Sequence, residues 1–436
     1  MSKKNNLTDF LTDVADAIRE KKGLTNLINP QDFHDEILSI KSGGGPVIEG
    51  EGAYKVTFID YDGTILKVQY LNEGESATPP DVPEHEHLTF NEWVGAYTNV
   101  TSDRAVCAYY ISSDGNTWLY TEEDNVIIDP QCKKGTLTIE FGDGATYTGG
   151  GTYLKHHYTD GQKEHWISIS ANRTDAGLYF FGYQTPGLYG ISTIICGDIY
   201  KKTMAYDFKD CYGLKYIVLP QGLTQLGART FYDCFSLKHV TIPSSVTSIS
   251  SECFYKCYSL VYLVIPNGIT GLTETWTIAD CHSLNQVTFP DTLKTLGNYC
   301  IYNCYALSRI NLEMISSIGR ATIYGNYSLF GSVSLKSIVT IDNNAFAYCK
   351  SLVSIRLPST VTSIGNYFCD ECDNLKYVVI EATIPPDLGS NAFGSYMIDT
   401  YIFVPDESIN AYKEATNWSS FADLIFGISE INNILS

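Results

Sequence analysis

The stretch FYDCFSLKHVTIP, residues 231–243, decides the fold, because its pattern returns about every 23 residues between Phe208 and Ile380. A typical copy has a large apolar residue, a Cys three positions later, a Leu three further, and an apolar run that often closes on Pro. Eight copies place these residues in the Cys column: Cys211, Cys234, Cys257, Cys281, Cys304, Asn326, Cys349 and Cys372. So regular a period predicts a solenoid, in which each unit buries its apolar face only against its neighbours.

Each copy predicts a short β-strand after its Leu. In Val240-x-Ile242-Pro243 the two apolar residues point to one face, and the Pro ends the strand because it cannot donate to the ladder. A second apolar pair, such as Val246 and Ile249, predicts a second short edge that returns along the coil. At a strand spacing of about 4.8 Å, eight coils would stack to roughly 40 Å.

The repeat Ser-Leu-x-x-[Val/Ile]-x-[Ile/Leu]-Pro resembles the BspA-type leucine-rich repeat. The resemblance implies a leucine-rich-repeat β-solenoid over residues 191–390 and a C-terminal cap over 391–436. The sixth copy departs from the pattern, with Asn326 for Cys and a longer path through 330–332, so we expect a local bulge there.

The Cys column is interpreted as buried, reduced thiols. Free Cys is among the most buried residue types, and stacked Cys point in one direction, which is poor disulfide geometry. Cys253 and Cys300 occupy a slot that other copies fill with Thr or Ala, and no His pair stands near them at zinc spacing. Disulfides or zinc are the less favoured alternative, and the sequence predicts no metal and no cofactor.

Composition limits the partners. A formal net charge of −20 argues against nucleic acid or an anionic membrane. No apolar run is long enough for a transmembrane helix, and residues 1–20 do not match a signal peptide. The 13 Cys fit a protein folded in a reducing compartment, and the 32 Tyr and 5 Trp predict an aromatic contact surface.

Residues 1–44 predict a helical docking segment that ends in a Gly linker. Two amphipathic helices are expected, with these apolar residues facing a partner: Leu7, Phe10, Leu11, Val14, Ile18, Phe33 and Ile37. Helices this short do not bury such a stripe alone, so they need other copies or another protein. Residues 7–19 and 28–33 also resemble the N-termini of bacteriophage structural proteins, which implies a homo-oligomer, with a trimer as in phage fibres. A generic helical hairpin is the alternative.

Two β modules are expected before the solenoid. Residues 45–111 resemble an internalin-type Listeria–Bacteroides repeat, a small β-grasp-like module, and residues 112–190 resemble a β-sandwich of the polycystic-kidney-disease (PKD) type. The resemblances rest on residues 56–58, 62–64, 77–80, 90–93 and 105–110 for the first module and on 137–144, 156–158 and 166–169 for the second. The first family implies a spacer or adhesion role, and the whole chain is predicted to be mainly β.

Two polar features of these modules have competing interpretations. Asp143 is expected to cap its own turn, with calcium binding as the less favoured alternative. His85 and His87 follow three Pro in a polar loop, where we expect them to be solvated rather than to hold a metal.

The ligand surface is predicted on the outward side of the solenoid strands, with these binding residues: Tyr216, His239, Tyr262, Arg309, Arg356 and Tyr377. Aromatic rings stack on sugars, and Tyr and Arg are favoured hot spots, so the expected ligand is a host-surface glycan or protein. Ordinary β-propensity is the competing explanation for these residues. A second candidate is the column one residue after the Cys slot: Tyr212, Phe235, Tyr258, Tyr305 and Tyr327.

The sequence therefore predicts a phage virion protein, a fibre or a head or tail appendage made in the host cytoplasm. It would dock to other virion proteins through residues 1–44 and present the solenoid to the host surface. A bacterial cell-surface adhesin is the alternative. A glycan-processing enzyme is disfavoured, because the chain has no Gly-x-Ser-x-Gly, Walker or His-Glu-x-x-His motif.

Overall fold

The computed structural model describes residues 46–151, 153–180, 188–200, 205–394 and 400–435. The helices predicted within residues 1–44, with the docking side chains from Leu7 to Ile37, lie outside the described residues. The described part is mainly β and builds a solenoid of stacked coils with a small helical C-terminal cap, as the sequence predicts.

A five-stranded sheet, here called the first sheet, covers residues 47–112. Its strands are β1 (Val47–Glu49), β2 (Tyr54–Ile59), β3 (Ile65–Leu71), β4 (Leu88–Val94) and β5 (Arg104–Ser112). Their order is β1-β3-β2-β5-β4, with β2 antiparallel to β3 and parallel to β5. Gly63 has a φ of 87° in the turn between β2 and β3, and Trp93 packs edge-on against Phe58 with ring centroids 5.1 Å apart.

The second β region shares one of its sheets, and its hydrophobic core, with the solenoid. Its strands are β6 (Thr117–Thr121), β7 (Asn125–Ile128), β8 (Pro130–Cys132), β9 (Leu137–Glu140), β10 (Thr146–Gly149), β11 (Leu154–His157), β12 (His165–Ala171), β13 (Leu178–Phe180), β14 (Leu188–Tyr189) and β15 (Thr193–Ile195). Strand β15 pairs with β6 on one side and with the first solenoid strand on the other. The region therefore covers the first coil, whose apolar edge would otherwise face water.

Two parallel columns of short strands form the solenoid. The first is called the strand face: β16 (Tyr216–Val218), β18 (His239–Thr241), β20 (Tyr262–Val264), β22 (Gln286–Thr288), β24 (Arg309–Ile310), β26 (Gly331–Ser334), β28 (Leu352–Leu357), β30 (Tyr377–Ile380), β32 (Tyr401–Val404) and β33 (Ile425–Gly427). The second column is the predicted returning edge: β17 (Gln225–Leu226), β19 (Ser248–Ile249), β21 (Gly271–Leu272), β23 (Thr295–Leu296), β25 (Ser317–Ile318), β27 (Thr340–Ile341), β29 (Ser363–Ile364) and β31 (Asp387–Leu388).

The Cys column lies inside the coils as free thiols, buried except for the half-buried Cys372. Six of the seven thiols also have a polar role, because each donates to a carbonyl of the preceding coil: Cys257 Sγ, for example, lies 3.2 Å from the Phe231 oxygen. Asn326 does the same in the sixth copy, where its Nδ2 donates to the Ile301 carbonyl at 2.9 Å. The slot therefore suits a small side chain that has a hydrogen-bond donor, which is a more specific requirement than the burial that the sequence predicts.

The sixth copy contains the predicted irregularity. The pairing of β26 with β28 shifts register between Gly331 and Ser332. The strand face is divided between different sheets at two places, between β18 and β20 and between β24 and β26, and the second division lies at the sixth copy.

The C-terminal residues close the last coil, as expected for a cap. They form helices α1 (Ile409–Glu414) and α2 (Ile431–Leu435) and the 3-10 turns Asp406–Ser408, Trp418–Leu424 and Ile428–Glu430. The buried Trp418 donates from Nε1 to the Pro386 carbonyl at 2.8 Å. No helix in the described ranges has both the length and the apolar composition of a membrane span.

Candidate recognition surfaces

The first sheet lies across the strand face of the first coils. Strand β5 contacts β16, β18, β20 and β22. Polar contacts cross the boundary at strand β5: Tyr109 donates to the Leu219 carbonyl at 3.0 Å, Thr241 to the Ala108 carbonyl at 3.3 Å, and the Ala105 amide to Thr288 Oγ1 at 2.9 Å. Apolar packing accompanies them, because Tyr262 and Val264 of the solenoid share a cluster with Ile59, Ala105 and Tyr109.

This cover contradicts the exposure predicted for half of the strand-face residues. His239 is 0% exposed and Tyr262 is 4% exposed. Tyr216 is half-buried, with its ring 6.4 Å from that of Tyr61. The reason is that outward residues such as Val218 and Val264 make this face apolar enough to bury, and β5 buries it. Neither His239 nor Tyr262 is open to a macromolecular ligand.

The other three predicted strand-face residues lie nearer the C-terminal end. Arg309 forms an ion pair with Asp103 of the first sheet. Arg356 is exposed and bonds Glu381, Nε to Oε1, at 2.7 Å, and Tyr377 is half-buried. The structure therefore buries His239 and Tyr262, sets Tyr216 and Arg309 against the first sheet, and leaves Arg356 exposed and Tyr377 half-buried. Ligand binding by these residues stays a prediction.

The loop histidines take part in packing, so the prediction that they are solvated is wrong. His85 Nε2 lies 2.8 Å from Asp60 Oδ2, and this hydrogen bond raises the pKa of His85. The ring of His87 stacks on Trp118 with centroids 3.7 Å apart. Beside this cluster, burial lowers the pKa of His239 to about 4.

Asp143 caps its own turn, as the favoured interpretation predicts. Its Oδ1 accepts the Ala145 amide at 2.9 Å, and its Oδ2 pairs with His156 Nε2 at 2.8 Å. Both carboxylate oxygens thus have partners within the protein. Among the residues that the structure describes, no three His, Cys, Asp or Glu side chains group closely enough to hold a metal ion.

The column after the Cys slot forms a continuous stack of rings, here called the corner ladder. Its members are Tyr212, Phe235, Tyr258, His282, Tyr305 and Tyr327. Successive ring centroids are 4.5 to 5.0 Å apart, and the rings are within 21° of parallel. Tyr212 and Tyr327, at the two ends, are 50% and 42% exposed. The sequence interpretation omitted His282, although its position directly after Cys281 places it in the column.

A second group of rings, the turn ladder, runs through the turns that precede the Cys column. It comprises Tyr232, Tyr255, Trp276, Tyr299, Tyr302, Tyr324 and Tyr348. Trp276 and Tyr299 stack at 4.4 Å and have φ values of 58° and 56°. Bulky residues rarely adopt this left-handed conformation, which Asn344 occupies more easily at the same slot. Large aromatic side chains therefore occupy turn positions whose backbone conformation is unfavourable for them.

Cations accompany the turn ladder. Lys256 Nζ lies 5.3 Å from the ring centroid of Tyr255, and the Arg229 guanidinium lies 5.7 Å from that of Tyr232. Arg229 also forms an ion pair with Glu252 at 2.7 Å. These contacts place fixed charges at the turn ladder.

The comparisons with known proteins concern the solenoid. The family profile for the BspA type leucine-rich repeat region matches residues 198–330, 275–399 and 317–432, which together span more than half of the chain. No curated protein shows significant similarity.

Several solved structures are similar to part of the chain. A leucine-rich cell surface protein from Faecalibacterium prausnitzii A2-165 is 20% identical, with 58% of this chain and 88% of that chain covered and a TM-score of 0.33. The T. pallidum leucine-rich repeat protein is 22% identical, with 40% and 71% covered and a TM-score of 0.30. The pneumococcal vaccine antigen PcpA is 19% identical, with 52% and 69% covered and a TM-score of 0.33.

Proposed function

The chain belongs to the BspA-type leucine-rich repeat family, and we propose that its function is adhesive recognition of a surface glycan through the corner ladder. The proposal contains no catalytic step. The resemblances of residues 45–111 and 112–190 to internalin-type and PKD-type modules support the same kind of role, because the first of these families consists of spacer and adhesion modules.

The observation that carries the proposal is the uninterrupted line of rings from Tyr212 to Tyr327. The line crosses six coils at a nearly constant spacing, whereas the first sheet covers the strand face of the first four of them. Aromatic rings on a rigid element offer large contact area at little entropic cost. A contact surface that repeats once per coil suits a ligand that also repeats, such as a polysaccharide.

The residues beside the ladder support a glycan over an apolar protein surface. One position after the ring, most of the six coils have a Ser: Ser236, Ser259, Ser283 and Ser328. These residues are half-buried or exposed. Their hydroxyls donate and accept hydrogen bonds, as sugar hydroxyls require, while the adjacent rings match the apolar faces of sugars.

The test compares glycan-array and host-cell binding of the full chain with that of the double variant Tyr258→Ala and Tyr305→Ala. Loss of two central rings should weaken binding by about tenfold or more. Tyr189→Ala is the matched control, because this Tyr is 53% exposed but lies outside the solenoid. Binding that is unchanged in the ladder variant, or equally reduced in the control, would exclude the corner ladder.

The finer proposal is that the chain is a phage virion appendage, with residues 1–44 as its docking segment and a bacterial cell-surface adhesin as the alternative. Its support is the resemblance of residues 7–19 and 28–33 to phage structural proteins. Immunogold labelling of purified particles and of intact bacterial cells tests it. Label on particles supports the virion assignment, and label on cells alone supports the adhesin.

A further inference from the structure

A cleft of about 510 Å³ opens where the strand face is interrupted, between β24 and β26. Its lining includes the half-buried Ile310 and the buried Leu329 and Val333, and residues 101–103 of the first sheet module line it as well. We propose that this cleft binds one neutral saccharide unit, the end or a branch of a glycan. The site is separate from the corner ladder, because no ladder residue lines the cleft.

The shape of the cleft selects a compact ligand. Strands β24 and β26 belong to different sheets, so an extended peptide that pairs with one of them as an added strand is one candidate ligand. However, the Phe330 amide bonds the Ser308 carbonyl at 3.2 Å on one side of the break, and β25 pairs with β27 beyond it. The two coils are thus joined beside the opening at Ser308 and again in the returning edge. A gap bounded in this way favours a compact ring over a strand that runs the length of the face.

The charges around the cleft select a neutral ligand. Arg309 is paired with Asp103 across the cleft, and Glu313 is paired with Lys336 at 2.8 Å. Each charge is therefore already matched within the protein. A phosphate or carboxylate ligand would have to displace an acidic partner from its cation, which costs free energy that a neutral ligand does not lose.

The remaining lining residues match the surface of a sugar. Phe330 is 55% exposed and offers an aromatic ring, followed by Gly331, whose φ of 83° turns the chain into β26. Asn311 Nδ2 donates to Ser102 Oγ at 2.8 Å, which holds an amide and a hydroxyl in place. An apolar ring beside fixed polar groups, in a volume within the usual range of about 300–1,000 Å³, is the composition of a small-ligand site.

The experiment uses the full chain and a panel of neutral mono- and disaccharides of glucose, galactose, mannose and N-acetylglucosamine. Saturation-transfer NMR identifies the bound sugars and titration measures their affinity. We expect at least one neutral sugar to bind. Phe330→Ala should weaken its binding by about tenfold, since it removes the one strongly exposed ring of the site. Asn311→Ala should weaken it as well.

One control makes the outcome decisive. Tyr189→Ala removes a ring of similar exposure, 53%, that lines neither the cleft nor the corner ladder, and this variant should bind the sugar normally. The proposal is overturned if no neutral sugar binds, if glucuronate or sialic acid binds in preference, or if both cleft variants bind as the wild type does. If the corner-ladder variant binds host cells as the wild type does, the proposed function fails, but the sugar-binding results for the cleft still stand.

Discussion

The hydroxyl of Tyr109 donates to the backbone carbonyl of Leu219 across the boundary between the first sheet and the solenoid, at 3.0 Å. Both residues are buried, and 110 positions separate them in the sequence. This hydrogen bond is one of the contacts that hold β5 against the first coils, where β5 covers the strand face.

Replacement of Tyr109 by Phe should destabilise the chain by about 1–3 kcal/mol, because it leaves the buried Leu219 carbonyl without this donor. Chemical denaturation monitored by fluorescence measures the change. Tyr189→Phe, at an exposed position, should shift the unfolding free energy by no more than about 0.5 kcal/mol. If both substitutions change the unfolding free energy equally, the hydrogen bond of Tyr109 to Leu219 does not stabilise the protein.

Acidification should destabilise the covered face through His239. Burial lowers its folded pKa from 6.5 to about 4, so between these values the unfolded chain binds more protons at this site. The contribution of neutral His239 to the unfolding free energy is fully present above pH 6.5, and it is lost progressively as the pH falls toward 4. The unfolding free energy of the wild type, compared with that of His239→Gln, should fall by up to about 3 kcal/mol over this range.

Neighbouring groups define the control for this pH dependence. His85, bonded to Asp60, has a raised folded pKa, so its contribution is present below pH 6.5 and is lost as the pH rises through its folded value. His85→Gln should therefore change the profile with the opposite sign. A wild-type profile parallel to that of His239→Gln would contradict the assignment to His239.

Cys257 and Leu260, which occupy neighbouring core positions of one repeat, should contribute different amounts to the unfolding free energy. Cys257→Ala removes a small side chain and one thiol bond and should cost about 1–2 kcal/mol, whereas Leu260→Ala opens a cavity and should cost about 2–5 kcal/mol. Denaturant titration of the two variants provides the comparison. Peptide mass spectrometry without reductant should also find the thiols free, and a Cys257–Cys281 bridge would refute that part.

Asn326 should tolerate Cys far better than Ala. Its side chain donates to the Ile301 and Ile323 carbonyls and accepts the Cys304 amide at 2.9 Å, so Asn326→Ala leaves several buried groups unpaired. Asn326→Cys keeps a hydrogen-bond donor at this position, because it introduces the thiol that the other copies have there. Thermal melting should rank the wild type and Asn326→Cys above Asn326→Ala, and the reverse order would contradict the donor requirement.

Deletion of residues 1–44 should leave a folded, soluble protein that no longer joins a particle, because these residues are the proposed docking segment. Circular dichroism checks the fold, and quantitative immunoblotting of purified particles measures incorporation. Incorporation of the shortened chain at the normal copy number would place the anchor elsewhere.

Much of the solenoid was predictable because its determinants are local and repeated. The spacing from Phe231 through Cys234 to Leu237 identifies the inward side chains, and the departure at Asn326 correctly predicts a bulge in the sixth copy. The corner ladder follows from the same register. Even the overlooked His282 was accessible, because its ring stacks at 4.6 Å on Tyr258 in the slot that the period assigns to it.

The sequence by itself determined which side chains share a face, since strand alternation and the coil period act over a few residues. Only the tertiary structure decided which face is open. Tyr262 and Val264 point outward by their register, yet Tyr109, more than 150 positions earlier, helps to bury them. Such docking depends on apolar surface from distant segments meeting in space, and a repeat pattern contains no information about that meeting. The same reason explains the cleft, whose walls come from Asp103 and from residues 309–313 and 329–334.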